Sequence, residues 1–147
     1  VELALTFYQA DSLRYYKDMN VSNTDIFLLE PDILLAKKYI EAFNLFGYSV
    51  EHFSSAEAAI IASATQRPMV IIIELQLVGH NGIEFIQELR SYPDLDRVSL
   101  VINTFIPEHE LGLSAHDKQL LGIAEFCYKP QTSIDHLMRI VKGQVLK

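Results

Sequence analysis

Between Pro68 and Leu77 the chain reads PMVIIIELQL. Five consecutive apolar residues, Met69 to Ile73, run directly into the carboxylate of Glu74, and a loop carrying Gly79 and Gly82 follows. A run with no polar alternation must be covered on both faces. That is the condition of a central strand in a parallel sheet flanked by helices, and the β-branched content suits it. In open α/β sheets, sites form beyond the carboxyl ends of the strands, where strand order reverses. Glu74 is therefore the first candidate site residue.

The flanking sequence supplies the rest of such a sheet. Ile26–Leu29 predicts a short strand ending at Glu30-Pro31-Asp32. Leu35, Ile40, Phe43 and Phe46 then recur at helical spacing, with Asp32 as cap and Gly47 as stop. Tyr48 to Phe53 predicts a second strand, and Ser54 with Glu57 a capping box opening a helix to about Ala64. After the central strand, Gly82 to Ser91 predicts a helix that Pro93 prevents from continuing. Val98 to Ile102 is a further buried strand, closed by Asn103-Thr104, and a polar helix is expected between Glu108 and Leu121. Ala124 to Tyr128 is the last strand, followed by Lys129-Pro130. The amphipathic spacing of Ile134, Leu137, Ile140, Val141 and Val145 ends the pattern. Five strands alternating with five helices specify an α/β fold, a three-layer α/β/α sandwich on a parallel sheet with right-handed crossovers.

At 147 residues, half of them hydrophobic, the chain has the size of one domain. The pattern places it at residues 25–147, with residues 1–24 as an N-terminal extension or linker, either idle or docked as an arm. No apolar stretch is long enough to span a bilayer and no secretory signal is visible, so a cytoplasmic protein is expected, with no membrane partner. The single Cys127 excludes an internal disulfide and is expected in the core. A net charge of -7 repels a phosphate backbone, which argues against direct nucleic-acid binding. His52, His80, His109, His116 and His136 have no metal-ligand spacing.

Parallel strands bring their carboxyl ends to one edge, which gathers Glu30, Pro31 and Asp32, then Glu74, then Asn103 and Thr104, then Lys129. Four ordered pieces, IFLLEPD, VIIIELQLVGHNG, LVINT and FCYKP, resemble the receiver domains of bacterial two-component response regulators. The resemblance covers the chain from about Asp25 to Val145. It implies a flavodoxin-like (CheY-like) sheet of order 2-1-3-4-5 and a role in signal transduction, including phosphorelays. In that family an aspartate at the position of Glu74 accepts a phosphoryl group, and acids at the positions of Glu30 and Pro31 help bind Mg²⁺. The residues matching Thr104 and Lys129 contact the phosphoryl oxygens. Phe126 falls where a switch aromatic often lies, here without a hydroxyl, and Phe105 replaces a residue that is usually small.

The departures set the expected function. Pro31 offers no side-chain oxygen, and Glu74 carries its oxygens about 1.5 Å further out than an aspartate would. Misplacement of about 1 Å can cost on the order of 100-fold in rate, and Mg²⁺ demands near-ideal octahedral oxygens. The expectation is a pseudo-receiver rather than an enzyme: Glu74 pairs with Lys129, Thr104 or Asn103 donates a hydrogen bond, and no cofactor is needed. Weak Mg²⁺ binding by Glu30, Asp32 and Glu74 is the lesser alternative, as is a phosphorylatable receiver using Glu74. A glutamate at this position would also partly imitate a phosphorylated aspartate. A plain structural salt bridge remains the competing account of Glu74 and Lys129. A flavin-binding relative is disfavoured, since Glu30-Pro31-Asp32 repels phosphate where such proteins cradle it. By resemblance, partners dock on the face of the fourth helix, fifth strand and fifth helix, as a second protein, a fused output domain or a homodimer.

Overall fold

The computed structural model describes residues 24–77 and 79–146. The expectations for the first 23 residues lie outside them. Five parallel strands, β1 (Ile26–Leu29), β2 (Val50–Phe53), β3 (Val70–Ile73), β4 (Ser99–Thr104) and β5 (Ile123–Tyr128), form one sheet of order 2-1-3-4-5. The α-helices among the described residues are α1 (Ile33–Leu45), α2 (Ala56–Ala62), α3 (Gly82–Ser91), α4 (Ala115–Leu121) and α5 (Ile134–Val145).

Alternation along the strands divides the core in two. Ile26, Leu28, Val70, Ile72, Val101 and Cys127 face α1 and α5, where Tyr39, Phe43, Leu137 and Val141 cover them. Phe27, Leu29, Ile71, Ile73, Leu100 and Ile102 face the other way, under Ala59 of α2 and Phe85, Ile86 and Leu89 of α3. All four residues of β3 are buried, as its unbroken apolar run requires.

Local chemistry sets the element ends. Asp32 caps α1, accepting from the Leu35 amide at 3.0 Å, and Gly47 ends the helix at φ 85°. Phe46, expected on the buried stripe, is instead the C-cap residue and 67% exposed, because the stripe ends with Phe43. α2 is capped by Ser55 rather than Ser54, since β2 ends at Phe53 and Ser55 is the residue whose hydroxyl meets the Ala58 amide. Gly82 is required by packing. A Cβ there would lie 2.6 Å from the Leu75 Cα, and the Gly82 amide donates to the Leu75 carbonyl at 2.9 Å. That close approach seats the start of α3 against the chain just past Glu74.

The segment Glu108–Leu121 departs most from the continuous helix expected. It forms a 3-10 turn at Glu108–Glu110, an irregular stretch, and then α4, which begins at a capping box between Ser114 and Asp117. Gly112, at φ 65°, and Ser114 interrupt what composition alone made look continuous.

Candidate functional site

The carboxyl ends of β1, β3, β4 and β5 meet as expected, and they enclose a buried charge cluster. Parallel register brings Leu29 beside Ile73 and Ile73 beside Ile102, so the residues that follow each strand converge. Glu30, Glu74, Thr104 and Lys129 are all buried. The Lys129 ammonium lies 2.5 Å from Glu30 Oε2 and 2.6 Å from Glu74 Oε2, bridging both carboxylates rather than neutralising one.

Every carboxylate oxygen in the cluster is engaged. Glu30 Oε1 accepts from the Asp32 amide at 3.0 Å. Glu74 Oε1 accepts from the Gln76 amide at 3.0 Å and from the Thr104 hydroxyl, and Glu74 Oε2 also meets the Phe105 amide at 3.4 Å. The ammonium also lies 4.8 Å from the centroid of the Phe105 ring, a cation–π contact that caps the outer side of the cluster. Burial alone would pull the Lys129 pKa down. The hydrogen bonds and charges of Glu30 and Glu74 outweigh it and hold that pKa above the ordinary lysine value. With two carboxylates and one ammonium ionised, the cluster carries one negative charge.

Other predicted site residues take different places. Asn103 does not reach Glu74. It follows the parity of Val101 to the α1 side of the sheet, where its Nδ2 donates to the Tyr39 hydroxyl at 3.1 Å and its Oδ1 is buried without a protein partner. Thr104, one residue on, points the opposite way and supplies the hydrogen bond. Asp32 is exposed and spends its carboxylate on the cap of α1, and Pro31 is half-buried. Phe126 is half-buried against the α2/α3 core. Cys127 is buried, its thiol pushed up to about 11 by burial and by Glu125.

Two contributors were not anticipated. His52 Nε2 lies 2.8 Å from the Glu30 carbonyl oxygen, which only accepts, so the proton sits on Nε2. Tyr39 lies behind the cluster; burial raises its pKa, against the hydrogen bond from Asn103 and the charge of Lys129. The helical spacing of Tyr39 with Phe43 marks a buried face, but nothing in the sequence ties that face to Asn103.

The residues present do not fit a magnesium ion. The ammonium fills the space between the two acids, Pro31 adds no oxygen, and Asp32 is turned to its helix. Among the described residues, no three His, Cys, Asp or Glu side chains come together in an arrangement that could hold a metal. Nor is any helix of the described residues long and apolar enough to cross a membrane.

No protein-family model matches the sequence, and no curated protein matches it. Solved structures do. A sensor protein from Polaromonas sp. JS666 superposes with a TM-score of 0.74 at 20% identity, over 83% of this chain and 95% of that one. A CheY-like response regulator receiver domain from Methanospirillum hungatei JF-1 gives 0.73 at 14% identity, over 84% and 94%. The receiver domain of a sensor histidine kinase from Pseudomonas aeruginosa PAO1, solved with magnesium coordinated in its active-site cleft, gives 0.70 at 18% identity, over 86% and 100%. The sheet order, the helix layers and these superpositions together identify the architecture of the chain as that of a response-regulator receiver domain.

Proposed function

We propose that this domain is a receiver-type signalling module that works through protein contacts without metal-assisted phosphoryl transfer. One observation carries the reading: the Lys129 ammonium sits within 2.6 Å of both Glu30 and Glu74, so the cation that the acids require is part of the chain. The magnesium-bearing neighbour coordinates its metal in its own active-site cleft. Here the acceptor position is tied down by Thr104, Gln76 and Lys129, and in-line attack on phosphorus needs a carboxylate that is free to approach. The module then acts in the cytoplasm. Its partner is another protein, a fused output domain or a second copy of the chain, docked where α4, β5 and α5 meet. A cleft between β5, the start of α5 and the segment before α4, lined by Glu108, Leu113, Phe126, Tyr128 and His136, supports that placement. Intact-mass spectrometry after incubation with acetyl phosphate and Mg²⁺ tests the chemistry. An unchanged mass is expected; a single phosphoryl adduct mapped to Glu74 would overturn the reading.

A second reading of the same site is favoured by where Glu74 sends its oxygens. Thr104 and Lys129 are the groups that the family resemblance assigns to the phosphoryl oxygens, and Glu74 contacts both. Glu74 would then act as a permanent stand-in that holds the domain in one signalling state. Amide chemical shifts of Glu74→Gln test it: shifts reaching β5 and α4 are expected, and shifts confined to the pocket would remove it.

A further inference from the structure

α4 is lightly buried for a helix packed on a sheet. None of its residues is buried, and Leu120 is 69% exposed. With seven residues it is too short to be stable on its own. Apart from Leu121, which packs partly buried against the α2/α3 core, its anchors are polar. At its carboxyl end, Arg90 of α3 donates from Nε to the Leu121 carbonyl at 2.9 Å and from Nη2 to the Gly122 carbonyl at 3.0 Å. The same guanidinium donates to the carbonyls of Leu95 at 2.9 Å and Val98 at 2.8 Å, so one side chain joins the end of α4 to the turn leading into β4. A cation at a helix carboxyl end also meets the negative pole of the backbone dipoles. From the middle of α4, Lys118 pairs with Glu108 of the 3-10 turn at 2.5 Å, in a partly exposed bridge.

Gly122 is shaped to this clamp. Its φ of 65° already favours glycine, and a Cβ there would lie 2.7 Å from Arg90 Nη2. A flexible side-chain end ordinarily yields to such an intrusion at little cost. This one is fixed by four carbonyls and cannot move without releasing them.

We infer that the Arg90 guanidinium is a latch, and that α4 with its preceding turn opens and closes over the sheet as a unit when that latch is released. The contact it makes is apolar: Leu111 and Leu121 of the moving segment and Ile123 and Phe126 of β5 pack, partly buried, against the α2/α3 core, and opening exposes them. The latch lies at the amino ends of β4 and β5, whereas the Glu30–Glu74–Lys129 cluster lies at the carboxyl ends of the strands. The output face therefore has its own control point, separate from the acceptor position. The use of this motion to regulate docking rests on the proposed function; the motion itself does not.

Hydrogen exchange of the full chain, read by mass spectrometry without any phosphodonor, tests it. Arg90→Met is expected to speed exchange at least tenfold in peptides covering 111–126 while β1 and β3 keep their wild-type rates. Arg90→Lys, which retains the charge but loses the fork, should fall between, and Glu108→Gln should loosen only the amino-terminal half of α4. Unchanged exchange over 111–126 in Arg90→Met would overturn the inference. So would uniformly faster exchange through the whole sheet, or loss of folding, because Arg90 would then be an ordinary stability residue. A phosphoryl adduct on Glu74 would sink the proposed function and leave this result standing.

Discussion

The charge cluster at the carboxyl edge and the α4 segment are built from similar polar residues and behave in opposite ways. Around Lys129, ionised groups are sealed from water and every carboxylate oxygen has a donor, so displacing one member strands the others in low dielectric. Around α4 the partners are backbone carbonyls on a half-buried guanidinium and a half-exposed salt bridge, groups that water can reach once the segment opens. The same chemistry strands charge where it is sealed and leaves groups that can be hydrated where it borders the surface. The first lies at the carboxyl edge of the sheet, and the second flanks β5 on the face proposed above for docking.

The largest test of that contrast is Lys129→Met. It leaves Glu30 and Glu74 buried without their cation and should cost about 3–5 kcal/mol, read as a fall in the urea midpoint. Against a total of roughly 5–15 kcal/mol for a domain, that is a large share. A loss below about 1 kcal/mol would mean that the cluster admits water and that the two regions are alike.

Alkaline titration should give the next largest effect. Lys129, Tyr39 and Cys127 each have a folded pKa above the unfolded one. Their stabilisation is therefore complete below the unfolded values, which lie at about 8.5 to 10.4, and drains away as the pH climbs through the folded values. Thermal unfolding should show Tm falling from about pH 9 upward, with a shallower alkaline limb in Lys129→Met. A Tm flat to pH 11 would contradict the pairing of Lys129 with its two acids and the burial of Tyr39 and Cys127. The smallest global effect belongs to Ser114→Ala. Removing the capping box should cost α4 about 1 kcal/mol, visible as faster exchange of its amides with little change in the urea midpoint. A full shift of the midpoint would mean that α4 unfolds only with the whole domain.

Much of the carboxyl edge was legible because it follows from strand parity and parallel register. An apolar run ending in Glu74, a strand ending in Thr104 and a strand ending in Lys129 must bring those residues together once the strands are parallel. The bridging of both acids by one ammonium was not legible, since it depends on how far a lysine folds back over a neighbouring strand. The Asn103–Tyr39 contact was missed for a similar reason: strand parity sends Asn103 away from Thr104, but helix packing decides what it meets. The Arg90 latch joins groups 31 and 32 residues apart through carbonyls, which carry no sequence signal at all. The adjacent serines 54 and 55 could not be ranked as caps without the end of β2, and the polar stretch before α4 has no periodicity from which to place a boundary.

The double role of Lys129 also bears on how such a domain can change over generations. Placing an acid at Pro31 adds a third carboxylate beside two that share one ammonium. Shortening Glu74 withdraws its oxygens from Thr104 and Gln76, and removing the lysine first strands both glutamates. Each of these single changes is expected to lower stability, because the bridge ties the two glutamates and the lysine into one unit.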